Sequence, residues 1–141
     1  MKKKQTKIIV DTNLWVSYLI SGGYRQLDKL IFSNKAKLIF SDELLNEFIE
    51  VSQRPKFKQY FQTEDIARLL YLFDTYGELI TVRSNLKICR DAKDNFLISL
   101  AHDSKADFLL TGDNDLLELK NYGRTSIITM SEFETRSIKL K

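Results

Sequence analysis

"KIIVDTN", residues 7–13, decides how the chain is read. A strand-forming run, "KIIV", stops on the carboxylate Asp11 and passes straight into Thr12 and Asn13, after which a helical pattern opens at Leu14. An apolar run that ends at a polar triplet before a helix is the start of a βα unit. Asp, Thr and Asn each satisfy the free N–H groups of a helix start, and one such residue is enough. Three in a row leave Asp11 open to a second role, as an acid at the carboxyl rim of a sheet, where α/β folds bind ligands.

The same alternation recurs along the chain. Strand patterns follow at "KLIF" (37–40), "ELITV" (78–82), "DFLLT" (107–111) and "SIITM" (126–130). Helical patterns lie between them, at 14–20, at 24–34 after the break at Gly22-Gly23, and at 41–53 from a Ser-Asp cap signal. Pro55 is expected to close that third helix. Further helices are expected at 63–77, 91–105 and in "DLLELKNYG" (115–123). This predicts a single domain over residues 1–141, with its core at about 7–130. Its fold class is α/β, a three-layer α/β/α arrangement around a central, mostly parallel five-stranded sheet. Two strands end at acids, Asp11 and Asp113, which places an acidic site at one rim.

Composition narrows the function. The chain has 141 residues, 43% hydrophobic and 29% charged, with 5 Gly and 1 Pro, as soluble single domains do. No apolar run approaches the ~18–20 residues that span a bilayer, so no membrane association is expected. Asp11 interrupts the apolar part of the basic N-terminus too early for a signal peptide. A lone cysteine, Cys89, allows no internal disulfide and predicts a cytoplasmic protein; Cys89 itself reads as a small apolar side chain. The net charge of +3 suits an anionic partner only weakly. With one His and one Cys, a protein-built zinc site or a Cys–His nucleophile is disfavoured. His102 reads as a surface residue.

The acids say more than the bases. Asp94 shares a helical stripe with Leu97, Ile98 and Ala101, an unfavourable place for a carboxylate that nothing pairs. Asp91, by contrast, is explained as the cap of that helix. On the 41–53 helix, Glu47 falls at roughly 60° from Leu44, at ~100° per residue, and borders the apolar arc. Glu43 and Glu50 fall further out. In "TGDNDLL", Asp113 directly follows the strand with Thr111 beside it, and Asp115 is placed to cap the next helix. Like charges ~4 Å apart repel by roughly 4 kcal/mol at an effective dielectric of 20. A hard divalent cation such as Mg²⁺ or Mn²⁺ reverses that cost, because it wants oxygen ligands and bridges carboxylates to phosphate.

In order, "VDTN", "SDELLNEFIEVSQRPKF", "RDAKDNFLISLA" and "DFLLTGDNDLL" resemble the PIN-domain family, nearest the branch of toxin components of toxin–antitoxin pairs. The likeness runs from about residue 7 to 130, and its specificity lies in the ordered set rather than in one motif. The resemblance implies an α/β/α fold and a ribonuclease dependent on Mg²⁺ or Mn²⁺, which hydrolyses RNA phosphodiester bonds to 5′-phosphate and 3′-hydroxyl ends. It implies Asp11, Glu47, Asp94 and Asp113 as catalytic metal ligands, with Asn13 and Thr111 beside them and Asp91 and Asp115 in support. It further implies an RNA substrate, a cognate antitoxin and a homodimer. Two other readings stand beside it: a catalytically silent PIN-like binding module, and a phosphotransfer or phosphatase α/β domain. The latter wants an adjacent acid pair or Asp-x-Asp at the first strand, and "DTN" supplies neither.

Overall fold

The computed structural model describes residues 5–21, 25–59 and 63–137; Gly22-Gly23 and the basic residues 2–4 lie outside them. The first half of the chain forms β1 (Thr6–Val10), α1 (Thr12–Ser21), α2 (Arg25–Phe32), β2 (Ala36–Phe40), α3 (Asp42–Ser52), α4 (Pro55–Lys58) and α5 (Thr63–Tyr76). The second half forms β3 (Gly77–Leu79), α6 (Ala92–Ser104), β4 (Phe108–Leu110), α7 (Asn114–Leu119), β5 (Asn121–Tyr122), β6 (Thr125–Ile128) and α8 (Met130–Ser137).

The strands make one sheet in the order β3-β2-β1-β4-β6-β5. Every neighbouring pair is parallel except β5–β6. The sheet is flanked by helices, and β1 and β4 are buried on both faces: Ile8, Ile9, Leu109 and Leu110 have no exposure. That is why their sequences read as continuous apolar runs rather than alternating ones. From β1 the chain moves outward to β2 and β3, then returns to add β4 on the other side of β1. Strand order therefore reverses between β1 and β4, and a crevice opens there beyond their carboxyl ends.

The sheet has six strands where five were expected. The extra one, β5, is a two-residue partner of β6 in a hairpin, and a run that short carries no periodicity. The strand expected over 126–130 ends at Ile128, and α8 begins at Met130. Thr129 starts α8: its Oγ1 accepts from the Glu132 N–H at 3.0 Å. The Thr-x-x-Glu spacing of a capping box was the available cue. Pro55, expected to close α3, instead opens α4 at its first position, a place that suits a residue without an N–H.

β3 stops at Leu79, short of the expected 82, although inward-facing Ile80, Val82 and Leu86 still pack against the core. The Ile80 N–H still donates to the Phe40 carbonyl of β2 at 2.8 Å, but from Arg83 on the backbone finds partners on α6. Asp103 Oδ2 accepts from the Arg83 and Ser84 N–H groups at 2.7 and 2.9 Å. Ser99 Oγ accepts from Leu86 N–H at 3.1 Å, and Asn95 Oδ1 accepts from Ile88 and Cys89 at 2.8 and 2.6 Å. Residues 95, 99 and 103 recur every four positions, so they form one polar stripe that replaces a β ladder.

Candidate metal centre

Asp11 leaves β1 at the rim of the crevice. Its N–H donates to the Leu110 carbonyl at 2.9 Å, and its own carbonyl accepts from Leu14 and Trp15 at 2.9 and 3.2 Å. The carboxylate accepts from the Asn13 N–H, so Asp11 caps α1 and still lines the cleft. Both roles read from "DTN" hold together. Thr111, fully buried at the end of β4, donates its hydroxyl to Asp11 Oδ2 at 2.8 Å and accepts from the Asp113 N–H at 3.0 Å. One hydroxyl thus links the acids that follow two neighbouring strands.

Asp113 is the cap of α7: its Oδ1 accepts from the Asp115 and Leu116 N–H groups at 2.8 and 3.3 Å. This reverses the expected assignment of that cap to Asp115. The Asp115 carboxylate turns to the Arg90 guanidinium at 3.0 Å. Asp91 caps α6 as expected, accepting from the Lys93 N–H at 2.9 Å. Three positions on, Asp94 is 4% exposed, and its Oδ2 has no hydrogen-bond partner. Thr12 Oγ1, next to Asp11, is the other buried side-chain atom without a partner among the described residues. One oxygen each from Asp94, Asp113 and Asp115 lie within 4.8 Å of one another.

Asp11 and Glu47 lie outside that triad but line the same cleft, of about 320 Å³, together with Asn13, Asp91, Asp94 and Asp113. Glu47 approaches from α3, and its Oε2 lies 3.6 Å from Lys93 Nζ. Among the described residues Lys93 is the one basic side chain lining this cleft, and nothing in the spacing of the acids pointed to it. Glu43, expected well away, lines the cleft from one helical turn before Glu47, while Glu50 is exposed and pairs with Arg54. Residues four apart share a helix face, which is the physical reason Glu43 joins Glu47.

The electrostatics follow from the geometry. Burial, and then the charges of Asp113, Asp91, Asp11 and Asp115, push Asp94 up to about 6. Burial also holds Asp11 above the usual carboxylate range, against the lowering hydrogen bonds from Thr111 and Asn13 and with a further rise from Glu47 and Asp113. A buried carboxylate oxygen without a donor, facing other carboxylates, is unfavourable until a cation arrives. The donor set is all oxygen, so the residues present fit a hard divalent ion.

A profile of the PIN domain matches residues 7–115, from the first residue of "KIIV" through Asp115. The chain belongs to the PIN domain family. The PIN fold is of the metal-dependent nuclease type and PIN nucleases act on RNA, in keeping with the acidic cluster at the switch point. A Methanocaldococcus jannaschii protein named as uncharacterized is 34% identical over 124 residues, spanning 86% of this chain and 79% of the relative. Among the described residues, no helix is long and apolar enough to cross a membrane.

Proposed function

We propose that this PIN domain is a Mg²⁺- or Mn²⁺-dependent endoribonuclease of the toxin type. Asp11, Glu47, Asp94 and Asp113 would hold the ion, and Asp115, Asn13, Asp91 and Thr111 would support them. The observation that carries the reading is the Asp94 oxygen, buried and without a donor at the meeting point of the acids. When bound, such an ion supplies activation of a water and neutralises charge at the scissile phosphodiester.

The chain's own residues do the rest. Thr111 fixes the rotation of the Asp11 carboxylate and the Asp113 backbone with one hydroxyl. Burial and the neighbouring carboxylates raise the Asp94 carboxyl to about 6, and a bound cation would favour its ionised form. Lys93 offers the cleft a cation for a phosphate oxygen. Its pairing with Glu47 is partly exposed and therefore weak, so the ammonium is free to change partners. The toxin reading adds a cognate antitoxin, a homodimer and a cytoplasmic setting, supported by the motif resemblance and the lone cysteine.

The test is cleavage of RNA by purified protein with Mg²⁺ or Mn²⁺. EDTA should stop it, and Asp11→Asn, which removes charge at constant volume, should slow it by at least ~10²-fold. Cleavage that persists in EDTA overturns the metal role, and RNA bound but left intact favours the silent module. Expression in a bacterial host should arrest growth, with Asp11→Asn relieving the arrest; unimpaired growth under active enzyme removes the toxin assignment.

A further inference from the structure

Beyond the acidic cleft lies a second groove of about 440 Å³, between α6 and the extended segment that the Asn95, Ser99 and Asp103 stripe holds in place. Phe96 lines both cavities. It is half-buried, yet it is not among the side chains packed against the hydrophobic core. A half-buried aromatic ring that lines both clefts presents part of its surface to whatever joins them. The groove's rim carries Lys87 and Arg90, both exposed, and among the described residues Lys87 has no acid partner. The acidic cleft repels a phosphate until a cation neutralises it, whereas the groove beside it offers the Lys87 ammonium and the Arg90 guanidinium, the latter paired with Asp115 at 3.0 Å.

We propose that Phe96 is a stacking platform for one base of the bound strand, and that the strand's backbone continues over it into the groove beside Lys87 and Arg90. This deepens the nuclease reading and rests on it for the identity of the strand as RNA. Base–aromatic stacking tolerates any base, because each has a π face, and basic side chains hold a backbone without reading it. The segment bearing Lys87 is pinned through its amides, so the cation is displayed from a fixed backbone and little ordering is needed on binding.

Equilibrium binding tests this apart from catalysis. A labelled ten-nucleotide single-stranded RNA is titrated with protein in EDTA and followed by fluorescence anisotropy. Phe96→Leu, which keeps an apolar side chain but loses the ring, should weaken binding about ten-fold, and Phe96→Tyr should bind as wild type. An abasic strand of equal length should be indifferent to both changes. Lys87→Gln should lower the slope of log affinity against log salt by about 0.7. Wild-type affinity in Phe96→Leu, or an equal loss on the abasic strand, overturns the platform. A protein that cleaves RNA with Mn²⁺ but shows no ring dependence keeps the nuclease reading and loses the platform. One that shows ring dependence without cleavage does the reverse.

Discussion

Asp94 joins a good packing position to a poor electrostatic one, and its titration exposes the conflict. Its native pKa of about 6 lies above the ordinary value of 3.8, so the folded, metal-free protein holds a proton that the unfolded chain releases. The stability linked to that proton is complete below about pH 4 and is lost as pH rises through 6. Two pKa steps correspond to on the order of 2–3 kcal/mol. In EDTA, Asp94→Asn should therefore be more stable than wild type at pH 8, with the advantage fading toward pH 4; urea unfolding across that range measures it. A variant less stable than wild type at pH 8 contradicts the burial argument. Thr111 makes a second case. Thr111→Val leaves the Asp113 N–H and the Asp11 carboxylate short of one partner each and should cost about 1–3 kcal/mol, while Thr111→Ser should recover most of it. Asp94 was legible because a carboxylate stood in an apolar stripe. The place of Asp115 in the triad was not, since it depends on how the chain turns after β4, and the helix cap falls to Asp113.

Helix α6 does two jobs with two faces. Leu97, Ile98 and Ala101 bury its apolar stripe, while Asn95, Ser99 and Asp103 tie down the segment that follows β3. Asn95→Ala should strip two amides of their acceptor and cost about 1–3 kcal/mol, with faster hydrogen exchange at Ile88 and Cys89; protection at wild-type level there would refute the tether. Asp103 titrates the opposite way to Asp94. Burial raises it, but the Ser84 hydroxyl and the Ser84 and Arg83 amides outweigh burial and hold its pKa below 3.8. Its contribution is present above about pH 4 and lost as pH falls through the lowered native value. The stability deficit of Asp103→Asn should be largest near neutrality and shrink in acid. At the start of β3, a Cβ on Gly77 would meet the Phe73 carbonyl oxygen at 2.5 Å and the Phe40 ring at 2.8 Å, so Gly77→Ala should destabilise by about 1–3 kcal/mol. The long strands and the helices between them were readable from apolar runs and periodicity. The bound of β3 was not: residues 80, 82 and 86 keep a strand-like burial pattern while their neighbours' hydrogen bonds go to side chains twenty residues or fewer away.

At the scale of the molecule, parallel pairing of β1 with β4 brings residues one hundred positions apart into contact, Thr111 with Asp11. The acids then meet because strand order reverses there, and α3 and α6 supply Glu47 and Asp94 from the flanking layers. That an acidic rim exists was readable from two strands ending on Asp. Which further side chains line it was not, because Lys93, Glu43 and Phe96 owe their places to helix packing rather than to any motif. The most direct test of the account is a Mn²⁺ titration at pH 7.5 of the wild type, Asp94→Asn and Asp91→Asn, read by calorimetry and by the shift in unfolding free energy. The wild type should bind and gain about 2.7 kcal/mol at 100 times its dissociation constant. Asp91→Asn, which retains a competent cap, should follow it closely, and Asp94→Asn should lose both the heat and the gain. Undiminished binding by Asp94→Asn, or a wild type that takes up no Mn²⁺, would contradict it.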